Sequence, residues 1–496
     1  MKLGFQHTYA QLPGLGLDCA PRPVPQPGLL FWNAGLAREL GLPLEGMAQD
    51  ELADLFSGNA LPEDARPFAQ AYAGHQFGNF SPQLGDGRAL LLGELLDPQG
   101  RRLDLALKGS GRTPYSRGGD GLAAVGPMLR EVLISEALHA LGIPTTRSLA
   151  VVATGDAVRR ETLLPGAVLA RVAASHIRVG TFEFFAFRGD ADRVKVLCDH
   201  AIQRHDPDLS GKEGRYLAFF EAVVRRQASL VAQWMGVGFL HGVMNTDNMT
   251  VSGEAIDFGP CAFLEGYDPA AVFSSIDRDG RYAFGNQPGI AQWNLARLAE
   301  ALLPLFAPDQ ERGVALAMEV LEAWPQVHGE FLLAGWRCKL GLQALEGQEG
   351  VDGRLAEDFL GLLRAARVDY TSAWRTLGAV AEGDEAPLRG LFPEPSMPAA
   401  WLVRYRDRCR LEDGEEDAVE AGRRRAAAVR LINPVTIPRN HRVEDALSAA
   451  GLGDLGPFGQ LLRAIRAPYA SLLGGEHFAE PAPAEVAAGY RTFCGT

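Results

Sequence analysis

Lysine is scarce in this chain of 496 residues. Five of its 48 basic residues are Lys (Lys2, Lys108, Lys195, Lys212 and Lys339), and the other 43 are Arg. A Gly-, Ala- and Arg-rich, Lys-poor composition points to a GC-rich bacterial genome. Positive charge is in deficit overall, with a net charge of −13. That argues against a general nucleic-acid binder, because neutralising phosphates takes a surplus of Lys and Arg. It leaves room for cations gathered in one cleft. No uninterrupted apolar run reaches about 18 residues, the length that marks a membrane-crossing helix. The opening MKLGFQHTYAQLPGLGLD has no apolar core of the signal-peptide kind. The six cysteines (Cys19, Cys198, Cys261, Cys338, Cys409, Cys494) form no Cys-x-x-Cys pair and no zinc-ligand spacing. Reduced thiols and a cytoplasmic location are the resulting expectation, with neither nucleic acid nor membrane as a partner. The common phosphate-loop signatures are missing too: there is no G-x-x-x-x-G-K-[ST], and no G-x-G-x-x-G after a strand.

What is present is a core-forming chain, 47% hydrophobic, with strands early and helices late. RALLLGELLD and RRLDLALKGSG read as two strands joined by the turn DPQG. GPMLREVLISEALHALGIP has apolar residues at helical spacing, with Gly142 and Pro144 to stop it. SLAVVATG and GAVLARVAAS read as two more strands. YLAFFEAVVRRQASLVAQWMGVG is a long amphipathic helix, and AQWNLARLAEALLPLF, ERGVALAMEVLEAW and RLAEDFLGLLRAAR follow as helices. RLEDGEEDAVEAGRRRAAAVRLINP reads as one exposed, charged helix. The fold class expected is α+β, a strand-rich part followed by a helical part.

The stretch HGVMNTDNMTVSGEAIDFG, His241 to Gly259, carries the clearest chemistry. Asp-Phe-Gly is the magnesium-holding tripeptide of protein kinases. MTVSGEAIDFG reads as a small hairpin with Ser252 and Gly253 in its turn. That would bring Asn248 and Asp257 together as two oxygen ligands, which suits magnesium, a metal that takes few protein oxygens plus phosphates. Kinases place a catalytic Asp five residues before the metal-binding Asn. Here that position is Val243, which accepts no proton, and Asp247 lies beside Asn248 instead. A single D-F-G could equally consist of turn residues; the long helix before it and H-G-x5-D-N argue for a phosphate-transferring loop.

Lys108 ends the apolar strand LALKGSG and resembles the phosphate-contacting Lys of kinases, which a helical Glu orients. Glu131 and Glu136 both qualify, and the helical wheel does not choose between them. GSGRTPYSRGGDG and QLGDGRALLLGE supply glycines for close backbone approach and arginines for bidentate phosphate contacts. With Arg171 and Arg178 added, the cations describe an extended polyphosphate site.

YAGHQFGNFSPQLGDGRALLLGE, the block from LALKGSG to GIPTTR, HGVMNTDNM and IDFGPCAF together resemble the selenoprotein O family. FWNAGLARELGLP, CKLGL, NPVTIPRNHRVEDAL and the terminal FCGT extend the resemblance over nearly the whole chain. It implies a protein-kinase-like two-lobed fold with an N-terminal extension (1–64), a strand-rich lobe with the nucleotide cradle (65–175), a helical lobe with the metal and catalytic loop (176–330) and further C-terminal helices (331–496). It implies transfer of AMP from ATP, or of UMP from UTP, to Ser, Thr or Tyr hydroxyls of proteins, with Mg2+ or Mn2+. The alternatives are a kinase-like phosphotransferase and a non-catalytic nucleotide-binding pseudokinase. Gly85, Gly87, Arg88, Lys108, Asp120, Gly121, Arg171 and Arg178 match the family's nucleotide-binding positions, and Glu131 its Lys partner. Asp247 matches the proton acceptor, Asn248 a metal ligand, and Asp257 a ligand of both metal and nucleotide. Cys494 stands where eukaryotic members carry selenocysteine. Some members pair that position with a cysteine of the activation segment. Here GYDPAAVFSS offers Phe273 instead, which argues against that disulfide in this chain, although Cys261 remains a candidate partner.

Overall fold

The computed structural model describes residues 1–471 and 473–493. The strands are β1 (Gly16–Asp18), β2 (Gly28–Trp32), β3 (Phe68–Gln70), β4 (Gly74–Gln76), β5 (Asn79–Ser81), β6 (Ala89–Leu96), β7 (Arg102–Lys108), β8 (Arg147–Arg159), β9 (Leu163–Ala173), β10 (Phe239–Leu240) and β11 (Ala262–Phe263). Seven of them form one sheet in the order β1-β3-β6-β7-β9-β8-β2, and every ladder in it is antiparallel. The first residues of the chain thus supply both edges of the sheet.

Side-chain alternation decides what each face of the sheet does. On β7 and β9, Leu105, Leu107, Val168, Ala170 and Val172 point to one face, where they pack with Leu36, Leu40, Leu52 and Phe56. Those four come from α1 (Ala34–Glu39), its C-cap and α2 (Gln49–Ser57). The opposite face presents Ala167 and Leu169 to Val125, Met128, Leu129 and Val132 of α3 (Val125–Ala140). Lys108 and Arg171 lie on this second face, since Lys108 pairs in register with Leu169 and Arg171 with Ala106. The β6–β7 turn is fastened by Asp97, which accepts from the backbone of Gln99 and Arg101 at 3.0 and 2.7 Å.

The helical half begins directly after Arg178 with α4 (Val179–Ala186), α5 (Ala191–His205) and the 23-residue α6 (Arg215–Val237). Gly238 ends α6 in the left-handed conformation (φ 75°). Further helices run from Gln287 to Gly489. Two of these, Asn440–Gly451 and Gly456–Ile465, cover the outer side of α3 through Val443, Leu447, Phe458 and Leu461. The mixture of strands, an antiparallel sheet and many helices matches the α+β expectation. Among the described residues no helix is long and apolar enough to cross a membrane.

Two local expectations are corrected. The segment from Met249 to Gly259 is not a hairpin ladder. Its arms bond outward: Val251 N donates to Ile177 O (3.0 Å), and Ala255 N to Pro144 O (3.0 Å). Only the turn is self-contained, with Thr250 Oγ1 donating to Glu254 O (2.8 Å). The charged stretch near residue 415 is two helices, Ala399–Asp413 and Ala418–Ile432, parted at Gly414 (φ 57°), with Asp417 capping the second. Its charges are not all solvated: Arg425 is 2% exposed and pairs with Glu412 (3.2 Å) and Asp413.

Candidate active site

A cleft of about 510 Å³ opens between the α3 face of the sheet and the segment Val243–Pro260. Every residue expected at the site lines it: Gly85, Gly87, Arg88, Lys108, Asp120, Gly121, Glu131, Arg171, Arg178, Asp247, Asn248 and Asp257.

Its centre is the Asp257 carboxylate. Lys108 Nζ, on β7, donates to Asp257 Oδ1 and also to Glu131 Oε1 of α3 (2.7 Å). Arg171 Nη1, on the neighbouring strand, donates to Asp257 Oδ1 at 2.7 Å. Arg178, at the start of α4, brings Nη2 to 3.7 Å from Asp257 Oδ2. Burial acts to raise this carboxyl, but Lys108, Arg171 and Arg178 outweigh it and hold it well below the usual range. Asp257 itself sits at φ 63°, a conformation that costs a non-glycine residue of order 1–3 kcal/mol. The next residue repays part of that cost: Phe258 N donates to Glu131 Oε1 (3.2 Å), and its ring is fully buried beside Phe239 and His241. The choice left open between Glu131 and Glu136 is thereby made in space. Glu136 faces away, to Arg147 Nε (2.8 Å) and Arg466 Nη2 (2.7 Å).

The loop before it is held by its own backbone. His241 Nε2 lies 2.8 Å from Ile256 O, so that nitrogen carries the proton and the ring serves as a pin. Val243 contributes its carbonyl, which accepts from Asn248 Nδ2 (3.0 Å). A carbonyl only accepts, so the amide orientation is fixed and Asn248 Oδ1 is left free to bind a cation. Asp247 Oδ2 accepts a long bond from Gln76 Nε2 (3.4 Å), while Oδ1 is buried without a partner among the described residues. Burial pushes this carboxyl up to about 7, against the pull of Arg178.

The glycine-rich side of the cleft is walled by backbone. Gly85 has φ 71°, and a Cβ there would meet Tyr115 Cγ at 2.4 Å. Gly121 has φ 69°, and a Cβ would lie 2.1 Å from Gly111 O. The Gly87 carbonyl accepts from Ser116 Oγ. Arg88 is half-buried along this wall. Asp120 does not stand free, because Arg160 Nη1 engages its carboxylate at 2.8 Å.

Several working residues escaped the sequence reading. Asp86 binds Arg178 Nη1 (3.4 Å), and Tyr72 lies under the same guanidinium, 4.4 Å from ring centroid to Cζ. His75 N donates to Thr246 Oγ1 (2.7 Å) and Phe77 N to Asn245 Oδ1 (3.1 Å), which ties β4 to the loop that carries Asp247. Glu183 of α4 joins the same knot through His75 Nδ1 (2.5 Å) and Thr246 Oγ1 (2.5 Å). The available signal was the motif YAGHQFGNF, read as a likeness without a role for His75 or Gln76. Cys261 is wholly buried, and burial pushes its thiol up to about 12; Cys494 lies outside the described residues.

Comparison with known proteins gives a concordant result. The family model "Protein adenylyltransferase SelO" matches residues 10–466. The protein nucleotidyltransferase YdiU of Cereibacter sphaeroides (strain ATCC 17029 / ATH 2.4.9) is 57% identical over 498 aligned residues, covering 100% of both chains. Its namesake in Chromobacterium violaceum is 56% identical across 96% of this chain and 98% of its own. That of Mycobacterium sp. (strain KMS) is 54% identical across 98% of each. Matched along nearly its whole length, the chain belongs to the SelO family of protein adenylyltransferases.

Proposed function

We propose that this protein transfers AMP from ATP to Ser, Thr or Tyr hydroxyls of proteins. The observation that carries the reading is the cluster of three cations, Lys108, Arg171 and Arg178, on one carboxylate in a cleft that the Asp247 carboxyl also lines. We read the sheet with α3 and the helical half as the two lobes of a kinase-like fold, meeting at Arg178.

The residues fit a divalent cation of the magnesium or manganese kind. Asn248 Oδ1 and Asp257 Oδ2 make no hydrogen bond among the described residues and line the cleft. An amide and a carboxylate oxygen suit a hard cation that keeps water and phosphate as its other ligands. When bound, such an ion would offset the negative charge of the triphosphate. Lys108, Arg171 and Arg178 bind and orient the phosphates, and the glycine wall admits them closely. The acceptor oxygen forms its bond to the α-phosphorus as the α–β bridging bond breaks. Pyrophosphate leaves, and the hydroxyl proton passes to Asp247. A carboxyl near 7 is well matched to that task at neutral pH.

The test uses ATP labelled at the α- or the γ-phosphate, with Mg2+ or Mn2+ and a protein acceptor. Covalent α-label is expected. Covalent γ-label alone would replace the proposal with a kinase; neither label, with ATP still bound, would leave a binding protein. Parallel runs with α-labelled UTP establish which nucleotide is preferred.

A further inference from the structure

A second chain of buried polar groups runs along the cleft face of the sheet to Arg171, through Asp104, His176 and Arg204, which the proposed chemistry does not use. Arg171 works at two ends. Nη1 donates to Asp257 Oδ1 (2.7 Å), and Nε donates to His176 Nε2 (3.3 Å). His176 turns Nδ1 to Asp104 Oδ2 (3.0 Å), and its backbone N–H donates to the same oxygen (2.8 Å). The other oxygen of Asp104 accepts from Arg204 Nη2 of α5 (2.6 Å). None of these four side chains is more than 3% exposed.

The chemistry of the groups fixes the protons. A guanidinium has donors only, so His176 Nε2 must be the accepting nitrogen and the proton must sit on Nδ1, facing Asp104. Burial, with Arg171 beside it, keeps the imidazole below its usual range despite Asp104. The ring is therefore neutral and held in one tautomer. The charge of Asp104 is met by Arg204, so the imidazole passes on orientation. Sheet register supplies the room. Asp104, Ala106 and Lys108 alternate onto one face of β7, and Arg171 stands opposite Ala106, flanked by the other two.

We infer that Asp104 and His176 are positioning residues for nucleotidyl transfer: they hold the Arg171 guanidinium so that its far end meets Asp257 and the phosphate side of the cleft. This rests on the reading of Arg171 as part of the nucleotide cradle. An arginine side chain has many rotamers, and a partner on Nε removes most of them while leaving both Nη groups available. Groups that orient others in this way commonly alter activity about 10- to 100-fold when removed.

The experiment compares variants of the full chain by initial rates with α-labelled ATP, nucleotide titration and thermal unfolding. His176→Asn keeps a donor for Asp104 and withdraws the acceptor from Arg171; His176→Gln offers Oε1 to Arg171. Both should unfold cooperatively, with Asn down about 10- to 100-fold in kcat/KM for the nucleotide and Gln recovering most of that loss. In the cycle with Arg171→Met, adding His176→Asn should cost nothing further. Equal activity of the Asn and Gln variants, wild-type kcat/KM in a folded His176→Asn, or losses that multiply in the double variant would each overturn the inference. If Arg171→Met alone leaves transfer and nucleotide affinity intact, the cradle reading itself falls, and this inference with it.

Discussion

Glu131 and Glu136 sit on the same helix and answer to different partners, so their variants should part ways. Glu131→Gln leaves Lys108 without its orienting carboxylate and should lower transfer about 100-fold. Glu136→Gln weakens the pairs to Arg147 and Arg466 and should lower the unfolding free energy by about 2 kcal/mol. Its transfer rate should stay near that of the wild type; urea unfolding and rate assays on the same preparations check both. Asp247 carries a pH signature. Its carboxyl is raised from the ordinary 3.8 to about 7, so the folded chain holds that proton more tightly than the unfolded one. Stability from this group therefore falls as pH rises from about 4 to about 7, and the cost is complete above that. Asp247→Asn should raise the thermal midpoint of the ligand-free protein at about pH 8, leave it unchanged at about pH 4, and abolish the rise of kcat/KM through neutrality. Single residues were legible where chemistry was out of place, as with a lysine ending an apolar strand. They were illegible where two like residues share one helix and only the facing partner tells them apart.

At the scale of elements, the decisive contact is between the small β4–β5 ribbon and the loop of Asp247. Gly74 lies against the carboxylate, and a Cβ there would stand 2.6 Å from Asp247 Oδ1. Gly74→Ala should push the acid aside. The expected result is a loss of tenfold or more in kcat with nucleotide affinity unchanged, measured by titration beside initial rates. The long strands and α3 could be read from sequence because their periodicity is local. The segment from Met249 to Gly259 could not, because its hydrogen bonds go to Ile177 and Pro144, which a local pattern does not register. The pairing of β10 with β11 closes the same loop through two residues on each side, too short to leave a pattern. The break at Gly414 is a further case: the charge run hid a cap at Asp417 and a buried face at Arg425.

For the molecule as a whole, the cleft depends on both ends of the chain. The N-terminal part supplies two edge strands and the helices behind β7 and β9. Helices Asn440–Gly451 and Gly456–Ile465 back α3, and Arg466 grips Glu136. Removing residues 436–496 takes away no expected site residue. It should nevertheless abolish nucleotide binding, because α3 would lose the cover of Val443, Leu447, Phe458 and Leu461 on its outer side, and with it the hold on Glu131. Titration of the truncated chain against the full one checks this. The presence of late helices was evident from their 3.6-residue repeat; their target was not, since nothing near residue 450 marks α3 as its neighbour. A consequence follows for synthesis. A ribosome extends a chain from its N-terminus at about 5–20 residues per second. The helices that seat α3 emerge long after α3 itself, so the catalytic centre stays unfinished until they have been made. A nascent chain still tethered to its ribosome, and surrounded by other unfolded hydroxyl-bearing chains, would hold its cations and carboxylates without yet being able to use them.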